Sequence, residues 1–262
     1  MTKRSNSEVG HAKNVANFEQ LQVRCTGFGG LYNPSRPELQ IGGLQQKLAD
    51  SRMCLDQVIV KNTAESNATN HRKILFDNLP PLVTRVVNGL AAGGAHPETI
   101  KGARAIQRKV QGKRAGKKGE PEVEAPEVAT AETETETTQN NDTNKESKTR
   151  SSSQQSFDQK LEHLARLISL LQSESTYMPN EQDLQVMALQ TLLQEMRTAN
   201  TLAMQATAEA EAARRYRKLV LYHKETGLVA IAKQVKMYIK AVFGASSQEY
   251  KEISRFSFRV IQ

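Results

Sequence analysis

The chain has 262 residues, of which 38% are hydrophobic and 5% aromatic, and it contains no tryptophan. This low apolar content excludes one large compact core and favours narrow aliphatic seams between helices, with part of the chain outside any core. The net charge of +8 is uneven: residues 1–118 carry +11, residues 119–154 carry −6 and residues 155–262 carry +3. Such asymmetry is typical of a basic surface for an anionic partner, or of a solvated basic tail.

Cysteine content and the first residues place the chain in a broad class. Cys25 and Cys54 are the only cysteines, so we expect reduced core residues rather than a disulfide framework. The first 14 residues are polar and carry no secretory signal. No apolar run approaches the roughly 20 residues of a membrane-spanning helix. We therefore predict a cytoplasmic protein without a transmembrane segment.

Helical periodicity dominates the first half of the chain. Residues 1–12 are predicted to be flexible, and a short helix follows that ends at the glycines after Val23. Apolar positions then keep helical spacing from about Pro37 to Phe76 without an intervening proline, which predicts one long helix. Two shorter helices are predicted over 82–92 and 97–111.

Two adjacent glycines, Gly42 and Gly43, interrupt the predicted long helix. Each glycine costs about 1 kcal/mol relative to alanine inside a helix. The pair indicates either the close approach of a neighbouring helix or a simple weak point. Because the residue 145 positions after Gly43 is Ala188, which is also small, close approach is favoured.

The second half of the chain follows the same plan. A helix is predicted over 157–171, a long helix from Glu181 to about Leu221, and an apolar helix from Leu228 to Phe243. Ser247 precedes glutamine and glutamate and is a candidate N-cap. Residues 256–260 alternate apolar and polar side chains, a pattern typical of extended backbone.

The two halves are related in sequence at a fixed spacing of 145 residues. Eleven positions between Tyr32 and Phe76 are identical to the residue 145 places later, with no gap. They include the tyrosine and proline of a turn, matched by Tyr177 and Pro179, and an arginine-lysine pair near the end of each long helix. Self-similarity at a fixed period indicates repeated structural units.

A polar segment, residues 112–155, separates the two halves. Proline, glutamate, threonine, serine and asparagine dominate it, and it contains no aromatic residue. Such a composition cannot bury enough apolar surface to offset the entropy of ordering. We predict a disordered acidic linker between a first helical repeat, residues 13–111, and a second, residues 156–262.

The strongest candidate binding site is a basic cluster at the end of the first repeat. Its first members, Lys101, Arg104 and Arg108, recur at helical spacing and are predicted to share one helix face. Phosphate groups are one ligand of such a face, and a solvated basic helix end is the alternative interpretation. The acidic linker is a further candidate occupant of the face. The full candidate polyanion-binding set is Lys101, Arg104, Arg108, Lys109, Lys113, Arg114, Lys117 and Lys118.

No pattern indicates catalysis or a bound cofactor. The five histidines form no ligand-spaced metal cluster, and the glycines from Gly27 to Gly30 lack the residues of a phosphate loop. A second basic cluster, residues 214–218, lies near the end of a long helix, where favourable interaction with the helix dipole explains it. We therefore expect no enzyme, no cofactor and no metal.

The chain resembles a group of uncharacterised bacterial helical proteins. The resemblance is carried by the two turn segments, YNPSRPELQIGGLQ and YMPNEQDLQVMALQ, and by the endings AIQRKVQGKRAGKK and VKMYIKAVFGASSQEYKEISRFSFR. It covers nearly the whole chain outside the linker. The resemblance implies two similar halves joined by a variable polar linker, and it implies no activity.

These patterns together predict an all-α fold, an internally duplicated antiparallel helical bundle with two long helices related by a pseudo-two-fold axis. Two separate bundles on a flexible tether are the alternative architecture. The predicted function is that of a non-enzymatic structural or interaction protein, with a protein partner or self-association. Binding of nucleic acid or another polyanion is the alternative function, and a membrane-active helical protein is a weaker one, because residues 228–243 are apolar.

Overall fold

The computed structural model describes residues 10–113 and 155–261, and it confirms the all-α fold class. No strand occurs among the described residues. The α-helices are α1 His11–Gly27, α2 Ile41–Asp77, α3 Leu79–Ala92, α4 Pro97–Gln111, α5 Phe157–Ser173, α6 Val186–Tyr222, α7 Leu228–Phe243 and α8 Gln248–Ser254. Most of the predicted linker, residues 114–154, lies outside the described residues.

Both long helices begin later than the periodicity predicted. A short 3-10 turn, Pro37–Leu39, precedes α2, and another, Gln182–Leu184, precedes α6. The residue after each turn has extended backbone, with ψ of 159° at Gln40 and 146° at Gln185, so the helix cannot run through it. Side-chain periodicity cannot detect this break, because a 3-10 turn keeps a closely similar spacing of apolar residues.

Prolines at a helix start explain the second boundary difference. The third helix was predicted to begin at Leu82, after Pro80 and Pro81, but α3 begins at Leu79 and contains both prolines in its first turn. A proline there loses no hydrogen bond, because the first backbone N–H groups of a helix have no partner inside it. Near the carboxyl end of the chain, Ser247 caps α8 as predicted, accepting a hydrogen bond from Tyr250 N at 3.1 Å.

The chain divides into two compact units, and each contains helices from both halves of the sequence. Among the described residues, unit 1 consists of 10–72 and 199–261, and unit 2 consists of 73–113 and 155–198. Unit 1 therefore combines α1 and most of α2 with the later part of α6, α7 and α8. Unit 2 combines α3, α4 and α5 with the first part of α6.

The core of unit 1 is formed by the apolar faces of its helices. From α1 it includes Phe18 and Leu21, both fully buried, and from α7 it includes Val235 and Ile239. The aromatic side chains of Phe256 and Phe258, which follow α8, pack against this core. The apolar stretch of α7 that motivated the membrane hypothesis therefore supplies six buried residues to this unit: Leu228, Val229, Ile231, Ala232, Val235 and Ile239.

The core of unit 2 has the same aliphatic character. Leu164 and Leu167 of α5 are fully buried and belong to one apolar cluster with Val86 and Leu90 of α3. The packing of α4 on α5 adds Ala103 and Val110. Within the described parts of the chain, no helix is long and apolar enough to cross a membrane.

Each unit contains a tyrosine that closes the turn before a long helix. In unit 1, Tyr32 Oη donates a hydrogen bond to the carbonyl of Leu39 at 2.6 Å. In unit 2, Tyr177 Oη donates to the carbonyl of Leu184 at 2.8 Å. Both tyrosines are buried, and burial raises the pKa of each phenol, that of Tyr177 to about 12. The phenol thus satisfies a carbonyl that has no partner in the 3-10 turn.

Removing either phenolic hydroxyl should weaken the fold by a similar amount. We expect Tyr32→Phe and Tyr177→Phe each to lower the free energy of unfolding by about 1 kcal/mol, because a buried carbonyl loses its hydrogen bond. Urea denaturation of the two variants measures this directly. The exposed Tyr216→Phe is the matched control and should change the stability by less than about 0.5 kcal/mol. Equal effects of all three substitutions would contradict this role.

Candidate polyanion interface

The basic cluster of the first half lies on one exposed face of α4. Lys101, Arg104 and Arg108 are exposed, whereas Ala103 and Val110 of the same helix are buried in unit 2. The three cations are therefore on the solvent side, as the helical spacing predicted. At about 1.5 Å of rise per residue, they extend over about 10 Å of helix.

Local sequence fixes both ends of α4. At the start, the His96 side chain accepts a hydrogen bond from Glu98 N at 3.3 Å, and Pro97 occupies the first turn. At the end, Gly112 adopts a left-handed conformation with φ of 72°, which favours glycine. Arg108 and Lys109 lie in the last turn, where the helix dipole favours positive charge.

The three cations line a shallow groove that has an apolar side. The groove encloses about 390 Å³ and is lined by Ala91, Pro97, Ile100, Lys101, Arg104 and Arg108. Ala91 belongs to the last turn of α3, so the groove runs between the end of that helix and α4. Charged groups beside a low-dielectric wall attract anions more strongly than the same charges on a flat surface.

Two of the three cations have no acidic partner among the described residues. Lys101 Nζ lies 3.3 Å from Glu98 Oε2, and both side chains are largely exposed. Arg104 and Arg108 form no ion pair within 10–113 and 155–261. Elsewhere in the same unit, Arg85 binds both carboxylate oxygens of Asp183, at 2.5 and 3.3 Å. Within the described residues, Arg104 and Arg108 thus differ from Arg85, whose guanidinium is paired.

The remaining predicted members of the cluster are less well placed or lie beyond the described residues. Lys109 is exposed, and its carbonyl accepts a hydrogen bond from Gln155 Nε2 at 2.6 Å. Lys113 is exposed directly after the helix. Arg114, Lys117 and Lys118, together with the acidic stretch proposed to cover the groove, lie outside the described residues. The part of the site that the structure brings together is thus Lys101, Arg104 and Arg108.

The second basic cluster is used inside unit 1 and is not a helix-end effect. Arg214 contacts Glu65 Oε2 at 2.5 Å and Asn62 Oδ1 at 2.8 Å, which are both on α2. On the same pair of helices, Lys61 Nζ lies 2.7 Å from Glu209 Oε2. No basic residue occurs in the last turn of α6. The helix-dipole interpretation is therefore wrong: the cluster lies before the last turn of α6, Arg214 pairs with groups of α2, and Arg215 pairs with Glu211 of its own helix.

The histidine, cysteine and acidic side chains of the described residues form no metal site and no reactive thiol site. No group of three or more histidine, cysteine, aspartate or glutamate side chains with metal-binding proximity occurs among the described residues. Cys25 and Cys54 are buried free thiols, and burial raises the pKa of Cys25 to about 12. A thiol in that state is a poor nucleophile near neutral pH, because the reactive form is the thiolate.

Comparison with known proteins adds no assignment. No family model, no curated protein and no solved structure matches the chain.

Proposed function

We propose that the chain is a non-enzymatic helical interaction protein that binds an anionic polymer, with nucleic acid as the leading candidate, through the basic groove of α4. The observation that carries the proposal is the convergence of Lys101, Arg104 and Arg108 on one groove in which the two arginines have no acidic partner among the described residues. An arginine guanidinium binds phosphate oxygens in a bidentate fashion, which favours phosphate as the recognised group.

The dimensions of the groove fit a short run of backbone phosphates. One strand of B-form DNA carries a phosphate about every 3.4 Å along its axis, so the roughly 10 Å of α4 spans about three phosphates. None of the described residues that line the groove is aromatic, so they offer no platform for base stacking. The binding that we propose is therefore electrostatic, independent of base sequence and sensitive to salt.

The architecture that presents the groove is, we infer, an internal duplication of antiparallel helices. The turn Pro37–Leu39 and helix Ile41–Asp77 recur 145 residues later as Gln182–Leu184 and Val186–Tyr222, with equal lengths. A tyrosine hydrogen bond closes both turns. These correspondences support one ancestral unit that was copied.

A salt titration of binding tests the proposal on the native chain. We expect a gel shift with a random-sequence oligonucleotide at about 50 mM NaCl that weakens strongly at about 300 mM. Three phosphate contacts give a slope of about −2 to −3 in a plot of log affinity against log salt. No shift at the lower salt concentration would remove polyanion binding and leave a protein partner as the function.

Neutralising Arg104 and Arg108, which form no ion pair with the described residues, should weaken binding selectively. We expect Arg104→Gln with Arg108→Gln to reduce the affinity for the oligonucleotide about tenfold and to lower the salt slope by about two. The matched control is Arg85→Gln with Arg166→Gln, which removes the same charge from arginines that pair with Asp183 and Glu162 in the same unit. Equal losses in the two double variants would show a net-charge effect rather than a site.

A further inference from the structure

One polar side chain lies in the core of unit 2 without a hydrogen-bond partner among the described residues. His163 of α5 is 1% exposed, and this lack of a partner applies to both of its ring nitrogens. The other buried polar side chains in the described parts of the chain all form hydrogen bonds: Asn14, Asn17, Ser51 and Asn200. An unpartnered group of this kind is rare in a native core, because nothing compensates its desolvation.

The packing of α5 on α4 places His163 beside the helix that carries the basic groove. The two helices are close at Gly102, where a Cβ atom would lie 3.5 Å from Leu170 Cδ1. Seven residues after Gly102 on α4 is Lys109, and seven residues before Leu170 on α5 is His163. A step of seven residues is about two helical turns, so it returns to the same face of each helix. His163 therefore lies on the face of α5 that packs against the last turns of α4.

The charged groups near the imidazole are more positive than negative. Lys109 acts on it from α4, and Arg166 and Glu162 act on it from α5 itself. Glu162 Oε1 also accepts a hydrogen bond from Arg166 at 2.5 Å, so its negative charge is shared with that guanidinium. The only charged residue of α3 is Arg85, which pairs with Asp183. A proton on the ring would thus add a positive charge to a site that is already positive.

Acid therefore favours states in which the ring of His163 is less buried. Burial is the main cause that lowers the pKa of His163 in the folded chain. An imidazole in water titrates near 6.5, so below about that pH a state in which the ring reaches water binds the proton more readily than the packed state. The free energy that holds α5 against its neighbours should fall as this proton binds.

The packing that His163 shares also fixes the cations of the basic groove. Ala103 and Val110 hold α4 in the core, and Arg104 and Arg108 lie on the opposite, exposed side of that helix. The groove also needs α4 to stay beside Ala91, which belongs to the last turn of α3. Cations on a fixed helix bind an anion with a smaller loss of conformational entropy than cations on a loosened one.

We propose that His163 couples acidity to the basic groove: protonation of the ring loosens the packing of α4 on α5 and weakens the binding of an anionic polymer by Lys101, Arg104 and Arg108. The coupling to binding rests on the function proposed above. It has the opposite sign to simple electrostatics, because a chain that gains protons becomes more positive and should bind a polyanion more tightly. The native chain should instead bind more weakly in acid.

Hydrogen exchange on the full-length chain tests the packing step without any ligand. The measured quantity is the protection factor, which corrects for the pH dependence of exchange in an unfolded peptide. Between about pH 7.5 and about pH 5.5, the protection factors of the α4 amides should fall at least about fivefold in the native chain and less than about twofold in His163→Leu. The exposed His71→Leu is the matched control and should behave like the native chain. Equal losses of protection in the native chain and His163→Leu would overturn the role of His163.

Oligonucleotide binding at the same two pH values tests the coupling to the groove. At about 50 mM NaCl, the native chain and His71→Leu should lose at least about fivefold in affinity for a random-sequence oligonucleotide in acid, whereas His163→Leu should keep or gain affinity. If the leucine variant does not fold, His163→Gln replaces it as a neutral side chain that does not titrate. Loss of α4 protection without loss of affinity would overturn the coupling. If the native chain does not bind at pH 7.5, the proposed function fails, and the protection factors still decide whether His163 controls the packing of α4.

Discussion

Replacing Gly43 by alanine should destabilise the chain by about 1–3 kcal/mol, whereas the same change at the adjacent Gly42 should stabilise it by about 0.5–1 kcal/mol. A Cβ atom at position 43 would lie 2.3 Å from the carbonyl oxygen of Pro37 and 2.9 Å from the Cα atom of Glu38. A Cβ atom at position 42 would meet no atom within 4 Å. The two glycines thus differ in their surroundings, although they are neighbours in the same helical turn.

The cost at position 43 comes from the turn that precedes α2. The clashing atoms belong to the backbone of Pro37–Leu39, so no side-chain rotation relieves the contact. The turn must move away, and it carries the Leu39 carbonyl that accepts the hydrogen bond from Tyr32. At position 42, alanine only removes the entropic cost of glycine in a helix.

Urea denaturation of Gly42→Ala and Gly43→Ala measures the difference between the two sites. Ala188→Gly provides the matched control, because Ala188 lies 145 residues after Gly43 in the first turn of α6. That turn already accommodates a Cβ atom, so this change should only cost about 1 kcal/mol of helix propensity. If Gly42→Ala and Gly43→Ala change the stability equally, the close contact with the turn does not constrain the sequence.

For the glycine pair, a close contact could be predicted from the sequence, but the contacting element could not. Close approach was predicted, and Gly43 does lie against another backbone, but that backbone is the preceding turn rather than a neighbouring helix. Gly42 has no such contact. The sequence indicates that position 43 requires a small residue. Which element lies too close for a larger side chain depends on the three-dimensional path of the chain.

The helices themselves were largely predictable, and their partners were not. Apolar spacing located seven of the eight described helices to within a few residues, because it reflects the periodicity of the backbone, whereas α8 was indicated only by its N-cap, Ser247. The combination of α1 with α7 and of α5 with α4 in separate units depends on contacts between residues far apart in the chain. No periodicity within one helix contains that information.

Of the functional features, the one that lies on a single helix could be predicted, and the one that joins distant parts of the chain could not. The basic face of α4 followed directly from helical spacing, since the three cations belong to one element. The hydrogen bonds of Asn14 and Asn17 to the backbone of Arg259 and Ser257 did not, although two asparagines within the apolar face of α1 were a detectable irregularity. Buried amides indicate a polar partner, and only the fold identifies that partner.

Replacing His163 by leucine should stabilise the chain at neutral pH by about 1–2 kcal/mol. His163 is 1% exposed, on the face of α5 that packs in unit 2. Neither ring nitrogen has a hydrogen-bond partner among the described residues. A buried polar group without a partner carries its full cost of desolvation, and an apolar side chain of similar volume removes that cost.

The substitution should also reduce the loss of stability in acid. Burial lowers the pKa of His163, and the positive charges of Lys109 and Arg166 lower it further, against the smaller opposing effect of Glu162. The unfolded chain therefore binds the proton more readily than the folded chain as the pH falls below about 6.5. Protonation of this histidine thus favours unfolding, and stability rises with pH through that range.

Urea denaturation at about pH 7.5 and about pH 5 separates the two effects. Between pH 7.5 and pH 5, the free energy of unfolding of the native chain should decrease more than that of the His163→Leu variant. Part of the loss should persist in the variant, because burial also lowers the pKa of His11 in unit 1. The exposed His71→Leu is the control, and its stability at pH 7.5 should stay within about 0.5 kcal/mol of the native value. A destabilised His163→Leu chain would show instead that the imidazole contributes packing or polar contacts that leucine cannot replace.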